Sequence, residues 1–492
     1  MGTWGVELSR RILYWTVAKG LPAVLFAILG LGLPRIATAA TYFVDFSNGS
    51  DSASGTDKSS PWKHAPGMSG CAGACGNTNL NAGDSVVFKG GIVWNQSSFP
   101  FNINFSGKSG SRITYTVDKS WFSGGSWTQP VFDGGFNQIS GGSLVVFGAT
   151  TQWVTLDNIE IRNITVNNGG GHGLDNSLIQ FQFGAINITV QNCLVHGVRV
   201  TNTGSGADQQ FGAIYGLGPM TNTVVDHCTV FNDQGTANTI AGLIFNIDTV
   251  TNSVIHDGIQ GVFGARLVHG NVIYNILSPS DPSSHPNALQ VSDANAQVYN
   301  NIVHDVQFGT CIYAVPSGAS GNVLIYNNVV WNTEVDPVTL EPESISGGGM
   351  NASVFNNTLN GAGGSAIRTV PRGTRWATVT VQNNHYISDA GSAENFPSGS
   401  FGNLVDSKNI LTTQSEAQSQ GYTIANQFAP TQASGATVGS GLSLASLNIT
   451  TLNFDIKGVA RPSANWDAGA YQLNLSGSTR PAPPTNLSAI VQ

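Results

Sequence analysis

Charge is scarce in this chain. Asp, Glu, Lys and Arg supply 10% of its 492 residues and sum to a formal −8. A chain so short of Lys and Arg is a poor partner for nucleic acid, whose affinity rests on neutralised phosphates. Lysine is missing altogether between Lys119 and Lys408, so no amine can act as a base or clamp in that stretch. Long apolar runs are missing too. The longest, Leu21–Leu33, falls short of the roughly 20 residues that a membrane helix needs. Cysteine appears only five times, whereas glycine appears 60 times, a bias that suits sheets joined by tight turns and does not suit helices.

What fills the space is one short phrase that keeps returning. It reads VTNSVI from Val250, VYNNIV from Val298, IYNNVV from Ile325, VFNNTL from Val354 and VQNNHY from Val381. Looser copies stand at Thr155, Thr189, Val224 and Leu267. Each is an apolar strand end, two turn residues rich in Asn, then a second apolar stretch. The residue just after each corner is Ile159, Cys193, Cys228, Ser253, Asn271, Asn301, Asn328, Asn357 and Asn384, at spacings of 34, 35, 25, 18, 30, 27, 29 and 27. A repeat of this size is the mark of a solenoid.

Alternation of period two makes the repeating unit a strand, and Asn tolerates the left-handed backbone of a sharp corner. Successive coils would stack as parallel strands roughly 4.8 Å apart. Asn271, Asn301, Asn328, Asn357 and Asn384 would then form an internal ladder of amides. Over Trp153 to Asp389 the pattern resembles the pectate-lyase-like superfamily. That resemblance implies an all-β, right-handed parallel β-helix solenoid of about nine or more coils with N- and C-terminal caps.

Around the coils the chain divides as follows. Residues 1–39 read as a signal peptide, with basic Arg10 and Arg11, an apolar stretch and Ala37-Thr38-Ala39; a retained anchor is the alternative. Its removal takes away four basic residues and one acidic, moving the formal charge from −8 to −11. Secretion, or residence in a periplasm or on a cell surface, is expected. Residues 40–150 form an N-terminal cap and first irregular coils, 151–390 the regular coils, 391–475 the last coils with a closing motif, and 476–492 a Pro-rich tail. The stretch Asn453–Gln472 resembles the closing motif of bacterial β-helix proteins, which implies that Asp455, Arg461 and Asp467 pin the last strand. Cys71 and Cys75 suit a small disulfide in an exported protein, with a metal site as the alternative. Cys193, Cys228 and Cys311 read as free core residues.

The resemblance places polysaccharide along the outer face of the strand before the Asn corner. Alternate residues there are Gln180, Tyr215, Ile244, Phe263, Gln290, Tyr313, Ser346 and Arg368, a mix of rings and amides that suits sugars. Asp281, His285 and Asn287 lie on the loop entering one such strand. The assigned roles are His285 as acid or base, Glu343 as carboxylate partner or Ca²⁺ ligand, Arg368 as clamp or base, and Tyr215, Gln290, Tyr313 and Asn287 as substrate contacts. Glu334, Asp336 and Glu341 gather beside Glu343; a carboxylate pair among them would suit glycoside hydrolysis. A second outward row, Arg162, His196, Phe231, His256, Tyr274, His304, Trp331 and Asn360, alternates imidazoles with other rings and so reads as a stacked stripe.

Two functions follow. One is a lyase or glycoside hydrolase on polysaccharide, with lysine-based lyases disfavoured by the missing lysines. The other is a non-catalytic envelope, adhesion or carbohydrate-binding rod. No cofactor beyond possible Ca²⁺, no nucleic acid, no membrane contact after signal cleavage and a monomeric state are expected.

Overall fold

The structure is a computed structural model. It describes residues 39–474 apart from 140–141, 168–176, 202–211, 235–241, 278–285, 335, 343, 362–363 and 391–392. Two units are distinguished, Met1–Thr38 and Ala39–Gln492, and every described residue belongs to the second.

Three long sheets run the length of the coils, with thirteen, eleven and twelve strands. Neighbouring strands are parallel and come from successive coils, as Val298 beside Ile325 and Val303 beside Val330 illustrate. The result is a right-handed parallel β-helix. In each coil the chain passes along the thirteen-stranded first sheet and turns the Asn corner into the twelve-stranded third sheet. It then crosses to the eleven-stranded second sheet and returns to the first.

The corner phrase explains the fold. Its first turn residue, at Asn158, Asn192, His227, Asn252, Asn300, Asn327, Asn356, Asn383 and Lys408, has φ between 49° and 64°. Side chains other than Asn and Asp pay a steric cost there, and Gly270 fills the remaining corner at φ 69°. The next residue turns inward. The Asn271 amide donates to Asn301 Oδ1 at 3.0 Å, Asn301 to Asn328 at 3.0 Å, Asn328 to Asn357 at 2.9 Å, and Asn357 to Asn384 at 3.0 Å. Asn409 adds one rung at 3.0 Å. Each amide also donates to a backbone carbonyl of the preceding coil, such as Asn328 to Val298, so the buried polar groups are satisfied.

Just before the corner, Leu156, Val190, Val225, Val250, Val268, Val298, Ile325, Val354 and Val381 stack in register and are fully buried. Burial of such side chains contributes about 1.5–3 kcal/mol each. Cys193, Cys228 and Cys311 are buried and free, and Cys71–Cys75 is a disulfide.

At the N-terminal end the buried Trp62 runs beside the first strand, Thr41–Val44, with its ring stacked 4.6 Å from that of Tyr42. The closing motif also reaches back to earlier coils. Asp455 and Asp467 accept from the Gln472 and Leu473 N–H groups and Arg461 donates to the Asp467 and Gly469 carbonyls, so the three hold the closing stretch, and Arg461 Nη2 also donates to Asn327 Oδ1 at 2.9 Å, several coils back. Asn356 donates to the Asp467 carbonyl, and Asn383 exchanges two bonds with Leu442. The segment after Thr412 therefore folds back as a strap along the corner, because the outward amides of Asn327, Asn356 and Asn383, fully buried there, need partners. Burial pulls the Arg461 guanidinium down to about 10, against the opposing charges of Asp455 and Asp467.

Candidate active site

The outer row of rings and amides belongs to the second sheet, one sheet earlier than the strand that enters the Asn corner. Register fixes its members: Gln180 pairs with Tyr215, Tyr215 with Phe245, Phe245 with Phe263, Phe263 with Gln290, Gln290 with Tyr313, Tyr313 with Thr339 and Thr339 with Arg368. Two expected positions are corrected. Ile244 points into the core, fully buried, and Phe245 takes its place. Ser346 lies on Ser344–Phe355, a strand of the first sheet, and Thr339 occupies the outer row instead.

Three consecutive strands of this sheet, Thr310–Ala314, Asp336–Leu340 and Ile367–Thr369, carry a charged cluster. The Tyr313 hydroxyl donates to Glu341, which follows the second of these strands and is 3% exposed. Arg372, in the turn after the third, brings Nε to 2.5 Å from Glu341 Oε1, an ion-pair distance without hydrogen-bond alignment. Arg368 Nε lies 2.7 Å from Asp336 Oδ2 and 3.4 Å from the Thr339 hydroxyl. Both arginines keep much of their side chains in solvent, 41% for Arg368 and 54% for Arg372. Burial raises the Asp336 carboxyl above its ordinary range, although Arg368 pulls it down. The cluster thus sets the buried Glu341 and the half-buried Asp336 under two half-exposed guanidinium groups, a surface that can receive a carboxylate or sulfate on a forked donor.

One coil earlier, Asn287 is 4% exposed. Its amide donates to Gln290 Oε1 at 2.9 Å and its carbonyl accepts from Thr310 N–H at 2.9 Å. Asn287 therefore braces Gln290 and the start of the Tyr313 strand. Tyr215 is 5% exposed and Gln290 and Tyr313 are half-buried. His285 and Glu343 lie outside the described residues. Of the expected set, the structure brings Gln290, Tyr313, Asn287 and Arg368 together with Asp336, Glu341 and Arg372; Tyr215 sits four rungs before Tyr313.

The fit of Ca²⁺ is poor on this surface. The ion takes six to eight oxygens, yet Asp336 and Glu341 each already face an arginine. Among the described residues no group of three or more His, Cys, Asp or Glu gathers as a metal site.

The third-sheet row is a stack of rings. His196–Phe231, Phe231–His256, His256–Tyr274, Tyr274–His304 and His304–Trp331 lie 4.5–5.1 Å apart and within 10° of parallel. With both faces of the inner rings occupied by other rings, no face is left for a sugar. A hollow of about 550 Å³ lies near its first coils, lined by Val93, Asn95, Gln96, Ser97, Asp133, Gly135 and Asn137. The one acid there, Asp133, is already held by Arg162, Asn163 and the Gly135 N–H.

No family model and no curated protein matches the chain. Among solved structures it is similar to pectate lyase Pel9A, at 15% identity over 89% of this chain and 98% of that one, TM-score 0.42. It is also similar to a rhamnogalacturonan lyase, at 15% identity over 75% and 87%, TM-score 0.42. A GH136 lacto-N-biosidase from Eubacterium ramulus follows at 13% over 76% and 68%, TM-score 0.40. At these identities the likeness is one of fold. No described helix is long and apolar enough to cross a membrane.

Proposed function

We propose that this chain cleaves an acidic polysaccharide on the outer face of its second sheet, as a uronate lyase. The observation that carries the reading is the Tyr313–Glu341–Arg372 contact beside Asp336–Arg368. A uronate seated there would place its carboxylate on the half-exposed guanidinium groups, which withdraws charge and acidifies the neighbouring C5–H. In elimination a proton leaves C5, its electron pair forms the C4=C5 double bond, the C4–O bond breaks, and the departing oxygen takes a proton. Tyr313, hydrogen-bonded to Glu341, is suited to carry a proton at this point, and Arg368 acts as clamp. His285 and Glu343 keep their proposed roles as acid or base and as carboxylate partner. The fold hosts many activities, so the proposal stands on the cluster.

Hydrolysis is the second reading, favoured by one observation: Asp336 is raised by burial, as a general acid must be. The test is incubation of the protein with a panel of neutral and uronate polysaccharides, reading reducing ends together with the ultraviolet absorbance of unsaturated ends. Both signals on uronate polymers support the lyase. Reducing ends alone select the hydrolase, and retention of polymers without cleavage selects the non-catalytic binding rod.

A further inference from the structure

The inner column that carries the amide ladder is not Asn throughout. Ahead of Ser253 and Asn271 it holds two cysteines on successive coils, Cys193 and Cys228. Register makes them neighbours. Gln191 pairs with Asp226 just before them and Leu194 with Thr229 just after, and the Thr229 N–H donates to the Cys193 carbonyl at 2.9 Å. Their sulfurs take the place of the ladder amides. Cys228 Sγ lies 3.4 Å from the Asp226 carbonyl and 3.5 Å from that of Val190, in the coil of Cys193, as the Asn328 amide bonds Tyr326 and Val298. Cys193 Sγ lies 3.2 Å from the Gln191 carbonyl. The two thiols are hydrogen-bonded to each other, and both residues are buried. Neighbouring coils stand about 4.8 Å apart, inside the Cα separation of roughly 4.4–6.8 Å that a disulfide spans.

We infer that Cys193 and Cys228 are a site of covalent modification, closing into a disulfide that staples two coils where the ladder has no Asn. The inference is independent of the cleavage reading. The same chain holds Cys71 and Cys75 as a disulfide, so its fold suits conditions that oxidise thiols. The co-reactant is a small-molecule disulfide such as oxidised glutathione. One cysteine thiolate attacks it, forming a mixed disulfide and releasing one small thiol. The second thiolate attacks the protein sulfur of that intermediate, the Cys193–Cys228 bond forms, and the second small thiol leaves. Two electrons pass from the protein to the reagent, and the two cysteine protons end on the released thiols. The nearby carbonyls lose no backbone partner, since those of Gln191 and Asp226 keep the N–H groups of Asn158 and Asn192. Burial, with the Cys193 thiol beside it, holds the Cys228 proton well above the ordinary thiol range, and a thiol that keeps its proton reacts slowly. The bond therefore closes while the coils assemble and is afterwards sheltered from reductant. Cys311, the other free thiol, does not compete: it lies three coils beyond Cys228, about 14 Å along the stack.

The experiment is cell-free synthesis of the full chain in a buffer of reduced and oxidised glutathione, followed by isolation of the folded fraction. Free thiols are then alkylated in denaturant and counted by intact mass, and peptide mapping locates the cross-links. One alkyl group per chain, on Cys311, with the peptides of Cys193 and Cys228 joined, is the expected result. Three alkyl groups, on Cys193, Cys228 and Cys311, would overturn the inference and leave the pair as small core residues. A cross-link from either cysteine to any other would overturn it as well. The stapling itself is read from stability. Reductant should lower the denaturant midpoint further in the native chain than in Cys193→Ser, because both lose the Cys71–Cys75 bond and only the native chain loses the second one. Equal shifts would overturn the staple. Should Cys193→Ser fail to fold, the alkylation count on the native chain decides alone.

Discussion

Tyr313 and Glu341 meet across one coil, the phenol of one strand donating to a carboxylate that follows the next. Neither group has a packing reason to be polar, since an apolar pair would fill the same space without desolvating a charge. If the pair moves a proton during cleavage, Tyr313→Phe should lower kcat about a hundred-fold or more with a small change in KM. Circular dichroism should stay native, because the lost hydroxyl removes one hydrogen bond. Kinetics on the selected polymer check this, and a Tyr313→Phe enzyme with wild-type kcat would remove Tyr313 from the chemistry.

Metal dependence follows from the same cluster. Asp336 and Glu341 are each ion-paired with an arginine, and a cation seated there would have to displace a guanidinium. Treatment with a chelator, followed by assay with and without added Ca²⁺, should therefore leave cleavage unchanged. A strict requirement for calcium would point to other residues, Glu343 first among them.

The amide ladder sets the stability of the coils. Asn328 gives its amide to Asn357 Oδ1 and to the Val298 carbonyl, and its own Oδ1 accepts from the backbone and amide of Asn301. Asn328→Ala leaves these partners buried and unpaired, at a cost of roughly 3 kcal/mol or more. Denaturant unfolding should show the unfolding free energy falling by that amount. Because a solenoid couples only neighbouring coils, hydrogen exchange should rise first in the strands Gln297–Tyr299 and Thr358–Asn360 on either side.

The sequence made this ladder readable because one residue type repeats at one turn with apolar residues on both sides. The outer rows were readable only where polarity contrasts. In Gly242–Phe245 every residue is apolar and buried, so nothing in the letters says that Ile244 faces in and Phe245 out; register with Tyr215 decides. Between Asp336 and Phe355 the chain makes strands of two different sheets with a very short connection, which hid Thr339 behind Ser346. The acids near Glu343 stood out as a group, but singling out Glu341 needed its contact with Tyr313. The strap was recognisable as a motif, yet its anchor on Asn327 is 134 residues from Arg461, a partnership that no local pattern can carry.

The last coil carries a titratable group whose effect on stability has a definite sign. Glu394 is pushed up to about 7 from an ordinary 4.5, first by burial and further by Asp406, against the Tyr386 hydroxyl that donates to it at 2.6 Å. Asn409, the final rung of the ladder, donates to both Glu394 and Asp406. A carboxyl that holds its proton more tightly when folded stabilises the fold below its unfolded value, and that contribution is lost as pH rises from 4.5 through 7. His385, buried and pulled down from 6.5 to about 3, works the other way, losing its contribution as pH falls across that range. Comparison with Glu394→Gln cancels the histidine and isolates the carboxyl, since Gln imitates the protonated acid. The variant should match the native protein below pH 4.5 and exceed it in stability above pH 7, read as slower hydrogen exchange in Phe401–Ser407 and Ile410–Thr412. A difference that does not change with pH would show that Glu394 titrates at its ordinary value and that the last rung is held without its proton.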